Sequence, residues 1–380
     1  MKLLIKNIFA ALLMYACSQP LVLKNMSAGE NGYLMYGKNP GRTFYENISI
    51  TEYLQPLWEA ETHGSQNFSS VILFGNYLFV SDLSGRIYVF DKTNGKQVGY
   101  EKYSGSISIA PVIYKLRIFF IVNDYDEKFS TIYQFDFITG KILGEDKING
   151  GVNNEMLLLE DGIIVVTDFG EVIKYNFACM REWSVNTKTT SLSSPASDGK
   201  IILFGNQKGE VTGVSKDDGA ILFKEKVSGA IEGGVTVDGG TLFFCDIKGK
   251  LYSFDLSTRK TNWVLDTGYK IISTPVFDNQ KIFTGNLSGN IYCVEKSSGK
   301  KIWQTKTDGV INTTPLLTNS FLVQPDYNKK VYMINQSNGE IVKTYEYERR
   351  TKLTPVYLEG ALYLGSDRGI VHAYKTFNQN

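Results

Sequence analysis

An all-β fold, a closed ring of eight four-stranded antiparallel blades, is the architecture this sequence predicts. Three observations predict it. Residue types return every 40 positions, each unit reads as four short strands joined by tight turns, and the two ends of the chain are out of phase in a complementary way. Proline or valine recurs at Pro195, Val235, Pro275, Pro315 and Pro355. Glycine recurs at Gly209, Gly249 and Gly289, with Lys329 and Gly369 continuing the count. Leu251-Tyr252, Ile291-Tyr292, Val331-Tyr332 and Val371-His372 hold one phase, as do Trp183, Phe223, Trp263 and Trp303. Four independent landmarks do not keep one phase by chance.

The bulk numbers agree. The 23 Tyr and 22 Phe beside 36 Gly suit short strands and tight turns. Lys+Arg number 40 against 39 Asp+Glu, and this balance argues against nucleic acid as a partner, which normally leaves a basic surplus.

In chain order, Lys2 and Lys6 begin a short basic region, and an apolar stretch from Ile8 to Met14 follows. It is short of the roughly 20 residues that span a bilayer but suits the core of a secretory signal. It runs into Met14-Tyr15-Ala16-Cys17, which resembles a bacterial lipobox, where a small residue precedes a cysteine that is acylated. The resemblance implies a signal peptide over 1–16, lipidation at Cys17 and, with Ser18 in place of Asp, a periplasm-facing position on the outer membrane. The alternative is an ordinary signal peptide with an incidental cysteine. Residues 17–50 read as a lipid-anchored tether, because Ser27-Ala28-Gly29 and Gly37-Lys38-Asn39-Pro40-Gly41 break any regular pattern. The ring is expected over 51–376, with a short tail at 377–380.

Residues 271–305 show one blade. Ile271 to Phe277 reads as a first strand and Lys281 to Thr284 as a second. Gly289 closes a turn before a third strand at Asn290 to Val294, and Gly299 closes another before a fourth that carries Trp303. Glycine supplies the positive φ such turns need. Turn landmarks at Gly85, near Thr131, and at Gly170, Gly209, Gly249, Gly289, Lys329 and Gly369 count eight blades, the second lengthened by Asp124 to Lys128. The last unit stops after its third strand, while Leu54 to Glu59 precedes the first full unit as an orphan fourth strand. Pairing the two closes the ring and removes its open edges.

No constellation of catalytic residues emerges. Asp82, Asp168, Asn206, Asp246, Asn286, Asp326 and Asp367 recur just before the central turn of successive blades, where Asp and Asn cap backbone groups. A catalytic or metal site needs convergence, not one equivalent residue per blade. His63 and His372 stand far apart, and His372 fills a position held by tyrosine elsewhere. Cys179, Cys245 and Cys293 remain after processing; the odd number leaves at least one thiol free, and a disulfide framework is not expected.

The turn and tryptophan of Ser298-Gly299-Lys300-Lys301-Ile302-Trp303 resemble the pyrroloquinoline-quinone-type repeat with its tryptophan-docking motif. Weaker copies stand at Asn94-Gly95-Lys96, Thr139-Gly140-Lys141, Arg259 to Trp263 and Asn338-Gly339-Glu340. With the lipobox, the eight units resemble the BamB family of lipoproteins of the outer-membrane β-barrel assembly machinery. That resemblance implies a scaffold without enzymatic activity or cofactor, which binds a BamA-like partner and assists insertion of unfolded barrel substrates. It places the contact in loops between middle blades, here Lys188 and Thr190 before Pro195, and Glu232 before Val235. Two other readings stand beside it. One is a periplasmic propeller that binds glycan or another envelope component. The other is a quinone-dependent dehydrogenase, a family that resembles this chain in its repeat but typically carries an adjacent cysteine pair, and no two cysteines are adjacent here.

Overall fold

The computed structural model describes residues 21–23, 26–126 and 128–379. Eight antiparallel sheets follow one another along the chain. Blades 1 to 7 occupy 72–102, 112–149, 157–186, 196–226, 236–266, 276–306 and 316–346, four consecutive strands each. Blade 8 takes three strands from 356–375, and its outermost strand is Gln55–Glu61, which pairs antiparallel with Ile370–Lys375. The ring is therefore closed by the orphan strand, as its sequence predicts. No α-helix occurs among the described residues.

Two of the expected landmarks shift. In blade 6 only Val276–Phe277 forms the inner strand. Residues 271–275 run as a loop, since Pro275 has no N–H to give a ladder. In blade 2 the central turn takes in residues 125, 126 and 128, with Lys128 at φ +58, and Thr131 lies within the strand Phe129–Asp136 opposite Val122.

The middle strands of each blade are apolar and buried on both faces, as in Ile163–Val166, because each sheet is covered by the next. What sets one blade against another is a repeated contact on the outer strand. Trp58, Trp183, Trp263 and Trp303 each donate the indole N–H to a carbonyl of the following blade, those of Lys92, Lys216, Lys296 and Gln336, at 3.0–3.1 Å. Each ring lies on a turn glycine of that blade: Gly95, Gly219, Gly299 and Gly339. A Cβ there would stand 2.5–2.6 Å from the indole, and each has a positive φ. Where the aromatic is the smaller Phe223, the turn residue is Arg259, also at positive φ, with its guanidinium 5.2 Å from the ring centre.

At three junctions the aromatic is missing; in blade 7 the docking position is Lys343, opposite Met333, and at the other two the contact is met by other means. In blade 2 the docking position is Gly144, opposite Gln134, and the Gln134 amide donates to Phe177 O at 2.7 Å. In blade 1 it is Gly99, opposite Val89 as Trp303 is opposite Cys293. There the beginning of the described chain takes the place of the tryptophan. Leu21 packs where a side chain on Gly99 would stand, and Leu23 N donates to Phe137 O at 2.9 Å.

The described residues of the stretch expected to be a tether, 21–23 and 26–50, are thus part of the fold. Residues 32–50 cross the central channel. Gly32–Tyr33 pairs antiparallel with the inner strand of blade 1, and Tyr45–Glu46 pairs parallel with that of blade 7. Between them, Leu34 O, Pro40 O, Gly41 O and Phe44 O accept from Ile113, Ser197, Val237 and Leu317, on blades 2, 4, 5 and 7. Inner strands would otherwise present unpaired N–H groups to the channel, so the segment satisfies donors that a bare ring leaves open. Its glycines are the bends of this crossing: a Cβ on Gly41 would stand 2.7 Å from Val237 O. The tail at 377–380 is likewise bound at Asn378, which bridges to Ile50.

Arg42 anchors the crossing. Fully buried, it donates to Pro195 O at 2.6 Å, to Glu155 O and Met156 O at 3.0 Å, and to Tyr36 O. Glu155, also buried, accepts from Ser69 Oγ at 2.5 Å and Ala110 N at 2.9 Å. Burial raises its carboxyl pKa to about 7, against the pull of the Ser69 bond and the Arg42 charge.

Three outcomes test this account in urea denaturation. Gly299→Ala and Gly199→Ala both place a side chain at positive φ, but Gly199 has open space around it and Gly299 has Trp263. Gly299→Ala should therefore cost at least about 1 kcal/mol more. Arg42→Met strips one donor from four buried carbonyls and should lower stability by about 3 kcal/mol or more, with no recovery in Arg42→Lys. Since Glu155 holds a proton in the folded state that the unfolded chain loses above its ordinary 4.5, its contribution falls as pH rises from 4.5 towards 7. Glu155→Gln should gain on the wild type between about pH 5 and about pH 8, and a constant difference would contradict the assignment.

Candidate partner-docking face

Antiparallel connectivity puts two kinds of loop on the face opposite the crossing segment: the central turn of each blade and the loop that leads to the next blade. Lys188 and Thr190 lie exposed in the loop between blades 3 and 4. Lys188 sits at φ +59, and the Asn186 side chain accepts from its N–H at 2.8 Å. Glu232 lies one loop further, between blades 4 and 5. It is half-buried and paired with Lys270 of the next loop at 2.5 Å, so its charge is engaged within the ring. Cys17 lies outside the described residues.

The recurring Asp and Asn side chains cap turns. Asp82, Asn206, Asp246, Asn286 and Asp326 are fully buried, and each accepts backbone N–H bonds from the residues two and four positions on. Asp168 and Asp367 are one position out of phase. In blade 3 the capping place belongs to Thr167, whose Oγ1 accepts from Glu171 N, while Asp168 accepts from Asn153. In blade 8 that place is Ser366, and Asp367 binds Arg350 and Lys352 at 2.7 and 2.6 Å. His372 is buried between Glu59 and Ser366, and burial lowers its pKa against the pull of Glu59.

Sequence reasoning missed the most exposed apolar side chains of this face. Phe169 is 62% exposed, Tyr125 and Tyr269 60% each, and Leu192 48%. They form one arc over blades 2 to 5. Tyr125 Oη donates to Asn153, Asn153 Nδ2 to Asp168, and Ser191 N to Asp168 O, which sets Phe169 and Leu192 side by side. Tyr269 adjoins Lys270, the partner of Glu232. The signal was present: Phe169 stands where other blades carry Ser84, Lys208, Lys248, Ser288, Asn328 and Arg368. Large apolar groups in such turns mark a contact surface.

Inside the arc the channel opens as a funnel of about 360 Å³, floored by Tyr36 and walled by Asn67, Glu232, Asn312, Thr313 and Thr354. A second, cationic cleft of about 410 Å³ between blades 7 and 8 is lined by Lys329, Arg349, Arg350, Lys352 and Arg368, with Glu348 and Asp367. The residues present do not fit a quinone dehydrogenase centre. Cys179, Cys245 and Cys293 sit buried and free in blades 3, 5 and 6, and burial pushes each thiol up to about 12. No three His, Cys, Asp or Glu side chains come together as a metal would require, among the described residues.

Comparisons with known proteins follow the same lines. The structure of BamB from Moraxella catarrhalis superposes with a TM-score of 0.72 at 16% identity, over 85% of this chain and all of that one. A europium-containing methanol dehydrogenase gives 0.77 at 12% identity, over 88% of this chain and 90% of that one. A quinohemoprotein alcohol dehydrogenase from Comamonas testosteroni gives 0.74 at 10%, over 90% and 80%. Likeness at these identities shows the fold alone. No curated protein sequence matches the chain. The profile of the outer membrane protein assembly factor BamB matches residues 55–268 and 268–378, from the closing strand to the last blade. The chain belongs to the BamB family of outer membrane protein assembly factors.

Proposed function

We propose that this protein is a non-catalytic scaffold of outer-membrane β-barrel assembly, held at the membrane through acylated Cys17 and facing the periplasm. It docks a BamA-like partner on the arc of blades 2 to 5. The observation that carries this reading is the family match along all eight blades. The choice of face rests on the exposed Phe169 and Leu192, flanked by Lys188, Thr190 and Glu232. Apolar anchors within a polar rim are the composition of a protein contact. The mechanism is positional: the scaffold raises the effective concentration of assembly partner and unfolded barrel substrate and makes no bond. The free outer strands of the blades offer edges on which a substrate strand pairs by β-augmentation.

The funnel supports a second reading. Its amide and hydroxyl walls, with Phe68 at the rim, suit a small polyhydroxylated ligand such as a glycan end.

A pull-down of tagged full-length protein from detergent-solubilised membranes of its host, with mass spectrometry of partners, separates the two. A barrel-assembly protein should co-purify at near-stoichiometric yield. Phe169→Glu with Leu192→Glu should cut that recovery by about tenfold or more, and Lys188→Glu by less. Recovery without any barrel partner, together with retention on glycan, would overturn the scaffold reading.

A further inference from the structure

The docking of Leu21 and Leu23 fixes where the anchor leaves the ring. Leu21 N donates to Glu101 at 3.0 Å, and Leu23 N to Phe137 O at 2.9 Å, so the chain is held against the junction of blades 1 and 2. Only four peptide steps separate Leu21 from Cys17. Fully extended they reach about 14 Å, against about 110 Å for a free tether over 17–50. This inference rests on the acylation of Cys17 argued above. With it, a bilayer surface lies within about 14 Å of one corner of a rigid ring.

That corner has the composition such a neighbour requires. Leu23 lies beside Phe137, and the next residue, Ile138, is 43% exposed at the tip of a hairpin. Across the same turn Ile142 and Leu143 are 38% and 47% exposed, and Val22 of the docked segment is 40% exposed. Phe137 N donates to Leu116 O, which brings the neighbouring turn and its exposed Lys115 alongside; Lys141, also exposed, precedes Ile142. The acid of the hairpin, Asp136, is turned inward to cap Ile138 N and Thr139 N at 2.8 Å. Exposed apolar side chains flanked by two lysines match the interface of a phospholipid leaflet with anionic headgroups.

We propose that this corner of blade 2, Ile138, Ile142 and Leu143 with Lys115 and Lys141, rests on the membrane surface. The ring then stands edge-on to the bilayer, with neither face turned flat against it.

The test uses full-length protein, its N-terminal acylation read by mass spectrometry, in vesicles of phosphatidylethanolamine and phosphatidylglycerol. An environment-sensitive fluorophore is attached at Leu143→Cys or, on the opposite face, at Lys188→Cys; Cys179, Cys245 and Cys293 are buried. Quenching by headgroup-labelled lipid should be strong at 143 and weak at 188. Equal quenching at both positions in acylated protein overturns the proposal. Flotation of unacylated Cys17→Ser protein with the same vesicles tests the surface apart from the anchor. Binding should be measurable and fall about tenfold in Leu143→Glu. Absence of binding, or binding indifferent to that substitution, overturns the proposal even where acylation holds. Unacylated Cys17 with binding that depends on Leu143 sinks the anchor and keeps the surface.

Discussion

One kind of contact sets the angle between blades at six of the eight junctions: an N–H donor beside the outer strand of one blade reaches a turn carbonyl of the next, in most cases with a ring or aliphatic group over the turn beneath it. Hydrogen bonds within each sheet fix only that sheet. A ring of eight closes only if the rotation at every junction sums correctly, so a sound junction is a condition on the whole. The indole suits the task because it joins a large apolar face to one directional donor. Its weight shows in what happens when it is missing. Gln134 supplies the donor at one junction, and the beginning of the described chain supplies both donor and filler at another.

The blades were legible because they repeat. Phase between Trp183, Trp263 and Trp303, and between Gly249 and Gly289, exposes four-stranded units and an orphan closing strand without tertiary information. The crossing segment was not legible for the opposite reason. Residues 32–50 occur once, make their backbone bonds with five different blades and bend at glycines, so their pattern has no period and resembles a linker. Arg42 illustrates the difficulty. An arginine between Gly41 and Thr43 reads as a solvated loop residue until four carbonyls surround it.

The candidate face was legible in part. Lys188, Thr190 and Glu232 fall on the loops that sequence assigned, but Glu232 is tied to Lys270, a residue 38 positions away that only the closed ring brings near. The apolar arc needed a comparison between blades rather than within one. A phenylalanine in a turn says little until six other turns at that place are seen to be polar or charged. The off-phase Asp168 and Asp367 show the same limit, since a capping role belongs to a place in the turn and not to a residue type.

The crossing segment also orders events in time. Residues 32–61 are made first, yet they bond to blade 7 and complete blade 8, which are made last. Early blades can form as sheets while the channel stays open, and Arg42 meets its partners once blade 4 begins, but Tyr45–Glu46 and the closing strand find theirs only near the end of synthesis. Such long-range pairing makes the last step slow and leaves apolar inner strands exposed until it occurs. A chain truncated before blade 8 therefore retains its closing strand without a place to put it, and a cell's quality control meets an open ring, not a shorter one.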